Sequence, residues 1–159
     1  MEEKKRDYLS IADVPYQTLE TKFGKVYFQV WSGNRVNVEV RDPIIINSVA
    51  YTCVFTLKSI TFGLFTVEGR VTPWGDRELS HSARAKLLDE VCKLLAARQE
   101  LDAEFILANR RDVNNGIWQA EKDIAEKKQE IADLEKKREE LLRKEKDFGG
   151  RIDSELQSA

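Results

Sequence analysis

Lys25-Val26-Tyr27-Phe28-Gln29-Val30-Trp31-Ser32-Gly33-Asn34-Arg35-Val36-Asn37-Val38-Glu39-Val40 is the stretch on which the fold turns. Val26, Phe28 and Val30 alternate with Lys25, Tyr27, Gln29 and Trp31, and a period of two belongs to a strand with one buried face. Val36, Val38 and Val40 alternate in the same way with Asn37 and Glu39. Between the two runs stands Gly33-Asn34, a pair that tolerates the positive φ angles of a tight hairpin turn. The stretch therefore reads as a β-hairpin with its valines and Phe28 turned toward a core.

Working toward the C-terminus, Asp42-Pro43 interrupts the pattern, because proline has no N–H to give to a ladder. A third apolar run, Ile44-Ile45-Ile46, meets a turn signal at Asn47-Ser48. A longer strand follows, with Val49, Tyr51, Cys53, Phe55 and Leu57 on one face. A last run, Leu64 to Val71, ends at Thr72-Pro73-Trp74-Gly75. Short connections between successive strands favour an antiparallel meander of about five strands over residues 23–77, as a small barrel or as a sheet laid on a helix. Residues 1–22 carry little periodicity and read as a lead-in segment, with a short strand or turn near Tyr16–Leu19.

The character changes at Ser80, a good helix N-cap with Ser82 as the fallback. Leu87, Leu88, Val91, Leu94, Leu95, Leu101 and Phe105 recur at spacings of three and four, which predicts an amphipathic helix over 80–112. Asn114-Asn115-Gly116 suits a left-handed helix stop. A second, leaner helix is expected over 117–147. Ile117, Ile124 and Ile131 share one heptad position there, and Ala120, Lys127, Leu134, Leu141 and Phe148 share another. Asp123–Lys127, Asp133–Lys137, Glu139–Arg143 and Glu140–Lys144 are acid-before-base pairs that support a solvated helix. Gly149-Gly150 closes the pattern, leaving residues 149–159 as a frayed tail. The expected class is α+β: the β-meander in front, then, over 78–148, an α-helical hairpin turning at Asn114-Asn115-Gly116. The alternative is one continuous helix through Gly116 that dimerises as a coiled coil.

Composition narrows the function. Charged residues make up 34% of the 159, yet the formal net charge is only −2, so no global field draws in nucleic acid. The opening Met1-Glu2-Glu3-Lys4-Lys5-Arg6-Asp7 has no apolar core, so no secretory leader is expected. No apolar run approaches the roughly 20 residues of a membrane helix, and no membrane partner is expected. Cys53 and Cys92 sit among ordinary apolar neighbours and read as reduced, packed thiols, which places the protein in the cytoplasm.

No phosphate-loop, dinucleotide, CxxC or HExxH spacing occurs in the chain. His81, the single histidine, stands between two serines at a helix start, where no third group is placed to orient it. Glu130, Asp133, Glu135, Glu139 and Glu140 lie on a helix too polar to offer the cleft that catalytic carboxylates need. No catalytic residue, metal site or cofactor is expected, and the chain reads as a non-enzyme.

The candidate ligand or partner face is Lys25, Tyr27, Trp31 and Arg35, opposite the valines, with Arg41, Lys58 and Arg70 further along. Aromatic and cationic groups on an exposed sheet can stack bases and hold phosphates. The basic excess between Pro15 and Gly75 is only two charges, however, which is a thin footprint for nucleic acid. Trp118, beside Ile117, is the candidate partner contact on the helices. The leading expectation is a non-catalytic interaction protein that binds another protein or a second copy of itself. It would act as an adaptor, assembly factor or inhibitor, a class that includes accessory proteins of mobile elements. The alternative is a nucleotide or single-stranded nucleic-acid binder that uses the aromatic and basic face.

Overall fold

The computed structural model describes residues 5–61 and 63–158, with side chains as far as residue 149. The chain divides into two compact units, residues 1–115 and 116–159.

The first unit is built on a five-stranded antiparallel sheet in the order β1-β2-β3-β4-β5, a simple meander. Its strands are β1 (Gln17–Thr21), β2 (Gly24–Trp31), β3 (Arg35–Ile46), β4 (Val49–Thr61) and β5 (Leu64–Pro73). The β2–β3 hairpin turns at Gly33 and Asn34, with φ of 74° and 56°. The β3–β4 hairpin turns at Asn47 and Ser48, also with positive φ. Both loops hold two residues at left-handed φ, the geometry whose twist matches that of the flanking strands.

Two expectations about strand boundaries are corrected. The short strand or turn read near Tyr16–Leu19 is strand β1, and it is no lead-in but part of the sheet, pairing along its length with β2 from Gln17–Phe28 to Thr21–Gly24. The isoleucine run is not a separate strand, since β3 continues through Pro43. The register shifts between Val40, opposite Cys53, and Ile44, opposite Tyr51, so four steps along β3 match two along β4. That bulge places Pro43 where no ladder bond is required and returns Ile44 and Ile46 to the buried face.

Helix α1 (His81–Ala96) starts at Ser80, whose hydroxyl accepts the Ala83 N–H at 3.1 Å. Its buried side chains are Ala83, Leu87, Val91 and Leu95, one stripe at every fourth residue. This helix touches β1, β3 and β5, so the sheet wraps it from edge to edge. Val26, Phe28, Val36, Val38, Val40, Cys53, Phe55 and Leu57 close the core from the sheet side, nearly all without solvent contact.

Helix α2 (Leu101–Ser158) begins after a short corner and adds Leu101, Phe105 and Ala108 to the same core. The corner is fixed by Arg98, which binds Glu104 Oε1 at 2.6 Å and donates to Gln17 on β1. Gln17 in turn donates to Glu104 Oε2 at 3.1 Å. The guanidinium also lies 5.2 Å from the Phe28 ring centre, over the end of the core.

The helix boundaries depart from expectation. The break falls at Ala97–Glu100 and not at Asn114-Asn115-Gly116, and α2 runs through both Gly116 and Gly149-Gly150. No hairpin turns at Gly116: of the two readings, the continuous helix through Gly116 is the one found, and it runs to Ser158 within the tail expected to fray. The physical reason is local. Glycine inside a helix costs only about 1 kcal/mol against alanine, and the asparagines have tertiary work that favours the helical conformation.

Candidate functional site

The outer face of the sheet carries the residues singled out from the sequence. Beta alternation puts Lys25, Tyr27, Gln29 and Trp31 on it from β2, and Arg35, Asn37 and Glu39 from β3. The face is not an open platform. Residues 10–16 cross it, with a 3-10 turn at Ile11–Asp13 capped by Ser10. Gln29, only 4% exposed, donates from Nε2 to the carbonyls of Ile11 at 3.0 Å and Val14 at 2.8 Å. Its Oε1 accepts from Trp31 Nε1 at 2.9 Å. One buried amide thus ties the crossing segment to the sheet and fixes the indole beside it.

The crossing separates the four candidates. Tyr27 belongs to one cluster, where the Arg41 guanidinium lies between two aromatic rings, 4.4 Å from the Tyr16 centre and 4.7 Å from that of Tyr27. Arg41 binds Glu39 at 2.7 Å, and Glu39 also accepts from Tyr16 Oη at 3.1 Å. Desolvation, then the neighbouring Glu39, raises the Tyr16 phenol above its usual range. The hydrogen bond to Glu39 likewise raises the Arg41 guanidinium. The cluster is internally satisfied, so its cation is already engaged. Lys25 is exposed at the start of β2, across from Glu20.

Trp31 and Arg35 are brought together at the other end of β2 and β3. They line a cleft of about 310 Å³ with Tyr8, Ile11, Arg111, Asp112 and Asn115. Arg35 donates to the Ser32 carbonyl at 3.2 Å and stands 3.6 Å from Glu68 on β5. Arg111 and Asp112 of this cleft could not be assigned from sequence, because only the fold brings α2 beside Trp31 and Arg35, and the expected helix stop hid the role of Asn115.

Three asparagines on α2 bind segments around this cleft, and of these Asn115 lines it. Asn109 Oδ1 accepts the Gly33 N–H at 2.8 Å, and its Nδ2 donates to Asn34 Oδ1 at 3.2 Å, gripping the β2–β3 turn. Asn115 accepts the Leu9 N–H at 2.8 Å and donates to the Leu9 carbonyl at 2.8 Å, pairing with that residue as a neighbouring strand would. Asn114 accepts from Arg6 and donates to the Asp7 carbonyl, at 2.8 and 2.9 Å. The asparagines that read as a helix stop are clamps for the N-terminal segment.

A second, larger cleft of about 490 Å³ lies at the β4–β5 turn and the α1–α2 corner, lined by Ile60, Phe65, Leu95, Arg98 and Ile106 among others. Cys53 and Cys92 are free thiols. Burial pushes the Cys53 thiol up to about 12 and raises that of Cys92 as well. No group of acidic, histidine or cysteine side chains suited to a metal is found among the described residues.

The second unit presents a different surface. Ile117, Ile124, Ile131, Leu134, Leu141 and Phe148 are 39–65% exposed, and all fall on the two heptad positions read from the sequence. Asp123 and Asp133 accept from Gln119 and Gln129 at 2.9 and 3.0 Å, and Lys127 stands 3.8 Å from Glu130. These take the place of the expected Asp123–Lys127 and Asp133–Lys137 pairs, an amide four residues upstream being an equally good helix partner. The Lys122 ammonium lies 5.4 Å from the centre of the half-buried Trp118 ring. No helix among the described residues is long and apolar enough to cross a membrane. Comparison with protein-family models, curated proteins and solved structures finds no match to this chain.

Proposed function

We propose that the protein is a non-catalytic interaction protein, with a small folded head and a helical arm whose apolar seam binds another helix. The observation that carries this reading is the seam itself. Six large apolar side chains at heptad spacing stand open to water along residues 117–148, while neighbouring positions are charged. A lone helix with that pattern gains stability by covering the seam. The head supplies support of another kind. Among the described residues the displaced pKa values belong to Tyr16, Arg41, Cys53 and Cys92, and none of these lines either cleft. Adaptor, assembly factor and inhibitor are roles of this kind. A cytoplasmic setting accords with free thiols.

The test compares wild type with Ile124→Asp/Ile131→Asp by sedimentation and by co-purification from cells. The reading requires that wild type forms a complex, with itself or with another protein, which the double variant loses while its head stays folded. Identical behaviour of the two proteins in both assays would dispose of it.

One observation favours the nucleotide or single-strand alternative. Trp31, Arg35 and Arg111 share a single cleft, an indole with two guanidiniums. Quenching of tryptophan emission by nucleoside triphosphate or an oligonucleotide at low salt, lost in Arg111→Ala, would support it. Flat titrations would remove it.

A further inference from the structure

The arm's seam has a charge pattern that selects its occupant. We infer that the partner is a second copy of this chain, running antiparallel, with Ile131 of one helix packed on Leu134 of the other. The inference rests on the reading of the arm as a helix-binding surface and adds the partner's identity, direction and register.

The polar residues that interrupt the seam set the direction of pairing. Lys127, Arg138 and Glu145 stand at heptad positions otherwise held by isoleucine, leucine and phenylalanine. A parallel in-register pair would stack each of them on its own copy, giving three like-charge layers in the core. Glu130 would also face Glu135 across the flank. Such pairs oppose association.

Reversing one helix changes the pairing throughout. In the register that places Ile131 on Leu134 of the second copy, Ile124 meets Leu141 and Ile117 meets Phe148. Every exposed apolar residue of the seam finds an apolar partner, and each of these layers occurs twice by symmetry. Glu145 falls opposite Ala120, a small residue past which its carboxylate reaches water. The flanks follow the same rule. Asp123 faces Lys144, Glu130 faces Lys137 and Lys128 faces Glu135 of the second copy, with no like-charge flank pair. The remaining conflict is Lys127 against Arg138, a layer that likewise occurs twice, against the three like-charge layers of the parallel pair. The structure supplies the relief, since the Lys127 ammonium lies 3.8 Å from Glu130 of its own helix and is drawn to the flank.

Net charge points the same way. The arm's first half, residues 117–133, has more acids than bases, and its second half, residues 134–148, has more bases than acids. Antiparallel pairing lays each half on its complement. The paired segment would be roughly 45 Å long, which is ample for a stable two-helix seam.

The register makes a distance test sharp. Lys122 and Arg143 both lie on the outward heptad position, opposite the seam. Full-length protein carrying Cys92→Ala and either Lys122→Cys or Arg143→Cys would be spin-labelled, Cys53 being fully buried and left unlabelled. The proposed dimer separates both label pairs equally, by about 31 Å along the helix axis. An antiparallel pair slipped by one heptad splits them into about 21 and about 42 Å, and a parallel pair gives no axial separation for either. A second arm uses charge. Lys137→Glu should raise the dimer dissociation constant about tenfold, and Glu130→Lys/Lys137→Glu should restore it. Monomer at tens of micromolar by sedimentation, unequal label distances, or a silent charge exchange would each overturn the proposal. If wild type is monomeric yet loses a different partner on Ile124→Asp/Ile131→Asp, the arm still binds a helix and only self-pairing fails.

Discussion

Replacing Gly116 by alanine separates the continuous helix from the hairpin that its sequence suggests. Gly116 lies inside α2 and is not among the residues with positive φ. A methyl group built on it meets nothing within 4 Å. The substitution therefore adds no clash and removes the conformational freedom of glycine, so helix propensity alone sets the magnitude. Gly116→Ala should stabilise by about 0.8–1.0 kcal/mol. Urea titration followed by far-ultraviolet circular dichroism reads the gain, with an unchanged slope. Hydrogen exchange of the amides around residue 116 should slow about fivefold, the same energy expressed locally. Gly33→Ala is the internal control. There φ is 74° and the added carbon would lie 3.0 Å from Arg35 Nε, so a loss of about 1–2 kcal/mol is expected. A comparable loss in Gly116→Ala would mean that residue 116 occupies a left-handed turn, and the account of α2 would be wrong.

Three further outcomes follow from the head. Asn115→Ala removes both hydrogen bonds to the Leu9 backbone, so the Leu9 amide should lose its exchange protection while global stability falls by about 1–2 kcal/mol; an unchanged Leu9 amide would refute the clamp. Leu87→Ala empties the centre of the wrapped helix and should cost about 2–5 kcal/mol in urea titration, whereas Leu107→Ala, at a site 62% exposed, should cost no more than about 0.5 kcal/mol. Burial raises the folded-state pKa of Cys53 to about 12, so the unfolded chain releases that proton first. The contribution is fully present below about pH 8.5 and is lost as pH climbs toward the folded value. Wild type should therefore lose stability faster than Cys53→Ala above pH 9, by up to about 1.4 kcal/mol per pH unit; parallel pH profiles would contradict the buried thiol.

Much of the β unit was legible because strand alternation is a local property. The valines of β3, the apolar face of β4 and the turns at Gly33-Asn34 and Asn47-Ser48 follow from side-chain period and from residues that tolerate positive φ. The Ser80 cap and the heptad positions of the arm are local in the same sense. Misreadings arose where a local signal serves a distant partner. Asn114 and Asn115 resemble a helix stop, but their amides are saturated by Arg6, Asp7 and Leu9, more than a hundred residues away in sequence. Pro43 resembles a strand end, but a bulge against β4 absorbs it.

The candidate face shows the same division. Sequence alone put Lys25, Tyr27, Trp31 and Arg35 on one side of the sheet, because alternate residues of a strand must share a face. Only the tertiary structure decided that Gln29 is buried beneath residues 11–14, that Tyr27 is committed to Arg41, and that Trp31 and Arg35 meet Arg111 in a cleft. What the sequence determined is periodicity, and with it the element types and the faces they present. What the fold decided is which polar groups are already satisfied, since a hydrogen bond depends on where two remote segments meet, and no period along the chain records that.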